Sequence, residues 1–65
     1  MTHSTIEIRK RILALTNVGD FTDLVGDLSH LESTAKEFSK ARRIPVLIER
    51  TELGIRVTKT LPTER

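Results

Sequence analysis

Apolar positions along this chain keep a helical period through two stretches and then switch to a period of two, and each stretch marks an expected element. Over residues 5–16, Ile8, Ile12 and Leu15 recur at helical spacing and predict one buried helix face. "STIE" at 4–7 has capping-box form, with Ser4 set to accept from the backbone N–H of Glu7. Ile6 and Leu13 fall on the opposite face, where a lone surface helix needs no apolar strip. Either the C-terminal ribbon or a second copy of the chain is expected to cover them, so Ile6 and Leu13 are the candidate dimer residues.

Asn17, Gly19 and Asp20 then form a turn, and Asp20 is placed to cap the next element. Phe21, Leu24, Val25, Leu28, Leu31, Ala35 and Phe38 keep helical spacing for the next stretch. Two readings fit: one long helix over 21–43, or two helices over about 20–29 and 32–43 joined near "LSHLES". Gly26 and Ser29 weaken the interior of a continuous helix, and "SHLE" and "TAKE" each restart a capping-box pattern. The split is therefore the expectation.

Past Pro45 the period drops to two. Ile55 and Val57 alternate with Arg56 and Thr58, and "RTELG" supplies a connection in which Gly54 is expected at positive φ. The pattern predicts a hairpin over about 45–61.

With 65 residues there is room for one domain, residues 1–65, and one small core, which is marginal without help. Cysteine is absent, which rules out disulfides and thiolate zinc sites, and the two histidines, His3 and His30, are too few for a metal centre without several carboxylates. Neither a metal nor a cofactor is expected; a homodimer is the simplest extra source of burial. Phe21 and Phe38 are the only aromatic residues, which counts against stacking of unpaired bases. No apolar run is long enough for a membrane span or a secretory leader, so a cytoplasmic protein without membrane contact is expected.

The net charge of +2 is unevenly spread. Residues 20–39 hold five acidic residues and one basic, whereas residues 40–65 hold seven basic and three acidic. A polyanion would be drawn to the basic third.

Three helices followed by a C-terminal β-hairpin make an α+β class, and this order resembles the winged helix-turn-helix family. Leu24 and Leu28 match the buried positions of the first helix of that motif, Ser29 its turn, and Ala35 and Phe38 the second helix. Chains of this size and order are similar to small phage- or plasmid-encoded regulators. The resemblance implies a dimeric regulator that binds double-stranded DNA, with its third helix in the major groove and the hairpin as a wing. The candidate contacts are Ser33, Thr34, Lys36 and Lys40 near the bases, with Arg43, Arg50 and Arg56 on phosphates.

Asp20, Asp23, Asp27 and Glu32 do not suit a helix that crosses phosphates. They motivate a second expectation: the same scaffold acting as an inhibitor or adaptor, with these four on a basic surface of a host protein. Enzyme chemistry is not expected, because nothing in the sequence assembles a nucleophile, its base and an oxyanion site.

Overall fold

A computed structural model describes residues 3–62, in the order α1 (Thr5–Leu13), β1 (Phe21–Val25), α2 (Leu28–Arg42), β2 (Val46–Arg50) and β3 (Gly54–Lys59). All three strands form one antiparallel sheet in the order β1-β3-β2. The class is α+β, but three helices followed by a hairpin is not the fold. Neither the helix expected at 20–29 nor the single long helix over 21–43 exists.

Phe21–Val25 is the segment that departs from expectation. Its apolar spacing satisfies a helix, yet burial alternates along it, with Leu24 fully buried between exposed Asp23 and half-exposed Val25. A two-stranded hairpin is marginal in water, and a third strand is what gives a sheet of this size independent stability. Tertiary pairing with β3 therefore overrides the local helical period. Gly26, at φ 145°, turns the chain out of β1 and donates its N–H to Leu53 O at 3.2 Å. Asp27, not Ser29, caps α2, accepting from the His30 N–H at 3.1 Å. Helix α2 thus begins four residues before the expected helix at 32–43.

The first helix starts as expected, with Ser4 Oγ accepting from the Glu7 N–H at 3.2 Å. It stops at Leu13, short of residue 16. Carbonyl groups just beyond its end are met by Lys59, whose Nζ donates to Leu15 O and Thr16 O, both at 3.3 Å.

Both helices lie on one face of the sheet. Ile8, Ile12 and Leu15 around α1, Leu31 and Ala35 from α2, and Leu24, Ile55 and Val57 from the strands make the core. Phe38, Ile44, Val46 and Ile48 pack around its margin. The other sheet face has no helix over it among the described residues, and carries the row Phe21–Thr58–Leu47 beside the row Asp23–Arg56–Glu49. Ile6 and Leu13 are 66% and 50% exposed, so the ribbon does not cover them. No described helix is long and apolar enough to cross a membrane.

Gly54 is required for a reason other than the expected one. Positive φ among glycines belongs to Gly19 and Gly26. At Gly54 a Cβ would collide with the Leu24 carbonyl oxygen and come within 2.8 Å of Leu31 Cδ1. The first of these is backbone, which cannot swing aside. Ser39 is a different local fault: 5% exposed, its hydroxyl has no hydrogen-bond partner among the described residues.

Opposite stability effects are expected at these two positions. Gly54→Ala should lose about 3 kcal/mol through overpacking. Ser39→Ala should gain about 1 kcal/mol by removing an unsatisfied buried hydroxyl. Urea unfolding monitored by circular dichroism measures both.

Candidate functional site

Helix α2 buries Leu31, Ala35 and Ser39 and turns its opposite side to solvent. Ser33, Lys36, Lys40 and Arg43 follow one another at steps of three, four and three, which gathers them within roughly 80° of helix circumference. All four are exposed. Among the described residues, Lys36, Lys40 and Arg43 make no ion pair. Four of the seven DNA-binding candidates therefore share one face.

The other three are elsewhere. Thr34 turns to the α1 side, in a shallow cleft with Thr5, Arg9, Glu37, Phe38 and Ala41. Arg50 lies on the helix-covered face of the sheet, where its Nε donates to Glu32 Oε2 at 3.0 Å. Arg56 lies on the open face, where Nε donates to Asp23 Oδ1 at 2.8 Å and Nη2 to Oδ2 at 3.3 Å. Its guanidinium also stacks over Phe21, 4.5 Å from the ring centroid. The two arginines expected at one wing tip thus sit on opposite faces of the sheet, each with a carboxylate.

The four acidic candidates do not form a helix face. Asp20 Oδ2 accepts from the N–H of Asn17 at 3.0 Å and from the N–H and hydroxyl of Thr16 at 3.3 Å. Asp23 holds Arg56, Asp27 caps α2 and Glu32 holds Arg50. Each carboxylate has a structural partner, and the four are spread over β1, the turns beside it and α2. The Asn17 and Thr16 donors, with Lys59 nearby, hold the Asp20 carboxyl below the ordinary aspartate value of 3.8. Hydrogen bonding from Arg56 does the same for Asp23, and Asp23 in turn pushes the Arg56 guanidinium up.

Two cations outside the expected set also meet. Arg9 of α1 and Arg42 of α2 sit against the Phe38 ring, 5.9 and 5.5 Å from its centroid. Arg42 is four residues beyond Phe38, a helical neighbour, and is legible in the sequence on that ground. Arg9 comes from another element, and local spacing carries no sign of it.

Arg43 occupies an unusual position. It ends α2 in the left-handed region at φ 57°, ψ 42°, the only non-glycine residue with positive φ among those described. Its N–H donates to Lys40 O, and the Ile44 N–H donates to Ser39 O at 2.9 Å, a Schellman closure in which glycine is the usual residue. A side chain there costs about 1 kcal/mol. The chain keeps an arginine at that cost.

Alongside this basic stripe the helix borders a groove. Lys36, Ser39, Lys40 and Arg43 form one wall, Val46, Leu47 and Ile48 of β2 the other, and Ile44, Pro45, Thr60 and Pro62 close its end. Its volume is about 890 Å³. Comparison with protein families, with curated proteins and with solved structures finds no match.

Carboxylate titration followed by NMR should place the Asp20 and Asp23 midpoints below 3.8. Arg56→Gln should raise the Asp23 midpoint and leave Asp20 where it is. Because both midpoints are depressed by folding, their stabilisation is present above the unfolded aspartate value and disappears as pH falls through the folded one. Unfolding free energy should accordingly decline below about pH 4.

Proposed function

We propose that this protein is a small DNA-binding regulator that presents α2 to the major groove. The stripe Ser33, Lys36, Lys40 and Arg43 carries the reading: an exposed helix face whose three cations have no ion-pair partner among the described residues. The residues from Ser33 to Arg43 span about 15 Å of helix, enough to follow a groove across several base pairs. Ser33 lies toward the N-terminal end, where a hydroxyl meets base edges, and the cations meet phosphates further along. Arg43 supports the reading separately, because a strained residue at a helix end calls for a role outside the fold.

The hairpin has a smaller part than a wing would. Arg50 and Arg56 would have to release Glu32 and Asp23 before touching phosphate. Arg9 and Arg42 are held beside Phe38 on the α1 side of the helix, away from this stripe. Three cations make a weak single module, so two copies acting together fit the role better. Ile6 and Leu13 offer the apolar strip that a second copy would cover, and a cytoplasmic location would suit a DNA-binding role.

Anisotropy of a labelled duplex across a salt series tests this. Binding should weaken with salt at a slope of about −3 in log–log form for three phosphate contacts per protomer. Lys36→Glu with Lys40→Glu should abolish binding, whereas Arg56→Ala should leave it unchanged. Arg43→Gly should stabilise the fold by about 1 kcal/mol while weakening binding. No binding at about 50 mM salt would sink the proposal.

A further inference from the structure

The two edges of the sheet are not equivalent. At the β1 edge, Val25 is taken by the N-terminal segment: the His3 N–H donates to Val25 O, and the Val25 N–H donates to His3 Nδ1, both at 2.8 Å. Among the described residues the β2 edge has no such cover.

Backbone alternation shows which groups that edge presents. The Thr60 N–H donates to Pro45 O at 3.0 Å, and the Thr51 N–H donates to Gly54 O at 2.9 Å. In an antiparallel pair the hydrogen-bonded positions recur at every second residue. Pro45, Leu47, Glu49 and Thr51 therefore face β3, and Val46, Ile48 and Arg50 direct their N–H and C=O groups outward. These groups run beside the groove walled by Lys36, Lys40 and Arg43.

We propose that this edge is a strand-addition site, and that its occupant is an extended segment of another protein with an acidic residue at every second position. The backbone ladder would supply affinity, and alternate side chains would supply selectivity. Residues two apart on a strand lie about 6.7 Å apart. Lys36, Lys40 and Arg43 rise about 6 and 4.5 Å from one to the next along α2, a similar pitch. Carboxylates on the helix side of an added strand would thus each meet a cation. Their aliphatic stems would pass over Val46 and Ile48, which are half-buried at the core margin.

A second copy of this chain is a poorer occupant. Pairing β2 with β2 would turn two walls of Lys36, Lys40 and Arg43 toward each other, and like charges so placed repel. Duplex DNA can meet the cations but has no ladder to offer Val46, Ile48 and Arg50. Strand addition is therefore a property separate from duplex binding.

The probe is a labelled, end-blocked peptide of alternating Glu and Val, seven residues long, titrated against the full chain. Saturable binding below about 1 mM is expected, with slowed amide exchange at Val46, Ile48 and Arg50. N-methylation of the peptide amides that face the edge should weaken binding about tenfold or more, and Lys36→Gln with Lys40→Gln should do likewise. The same peptide with Lys for Glu should not bind.

No binding at about 1 mM would overturn the proposal. Equal affinity for the N-methylated peptide would also overturn it, by reducing the site to bare charge attraction. Indifference to the lysine substitutions would overturn the acidic occupant. None of these outcomes touches duplex binding, which the salt series reads separately.

Discussion

The approach of β1 to β3 is the constraint on which the remaining structure depends. At Gly54 the missing side chain lets the strand lie against the Leu24 carbonyl and beneath Leu31. That contact joins Leu24, Ile55 and Val57 into one inner sheet face, and both helices pack on it. Without it, β2 and β3 would be a hairpin with nowhere to bury Ile55. With it, a segment of helical period becomes the third strand, and α2 is free to begin at Leu28.

The same pairing sorts the charges. Bringing Phe21–Val25 beside β3 puts Asp23 opposite Arg56, and placing α2 over β2 puts Glu32 within reach of Arg50. Asp20 and Asp27 serve their turns. A chain with an acidic middle and a basic end thereby becomes a molecule in which Asp20, Asp23, Asp27 and Glu32 are each tied to a partner within the fold. Lys36, Lys40 and Arg43, which make no ion pair among the described residues, lie along one helix face. Exposed pairs such as Arg50–Glu32 add little to stability. Their larger effect is on what the surface offers to a partner.

Parts of the candidate site are legible in the sequence. Ser33, Lys36, Lys40 and Arg43 share a face by helical spacing alone, and any helix over 33–43 would keep them together. Thr34 is expected with them and is not there, because its side chain falls on the α1 side of the circle. Nearness to the hairpin loop groups Arg50 with Arg56. Strand alternation separates them, since Arg50 pairs in register with Ile55, one position away from Arg56. The groove and the open β2 edge have no sequence signal, as both depend on which strand lies at the centre of the sheet.

Sequence alone determined the elements whose causes are local. Ser4 starts α1, Pro45 keeps the segment before β2 extended, two-residue alternation makes β3, and 3.6-residue periodicity lines up the cations of α2. Tertiary structure decided everything that rests on partners distant in the chain. Phe21, Leu24 and Val25 fit both a helix and a strand, and only pairing with Gly54–Lys59, some thirty residues on, breaks the tie. Which acids are silent and which cations are free depends on that pairing. Charge partners are set by position in space, and periodicity carries no record of it.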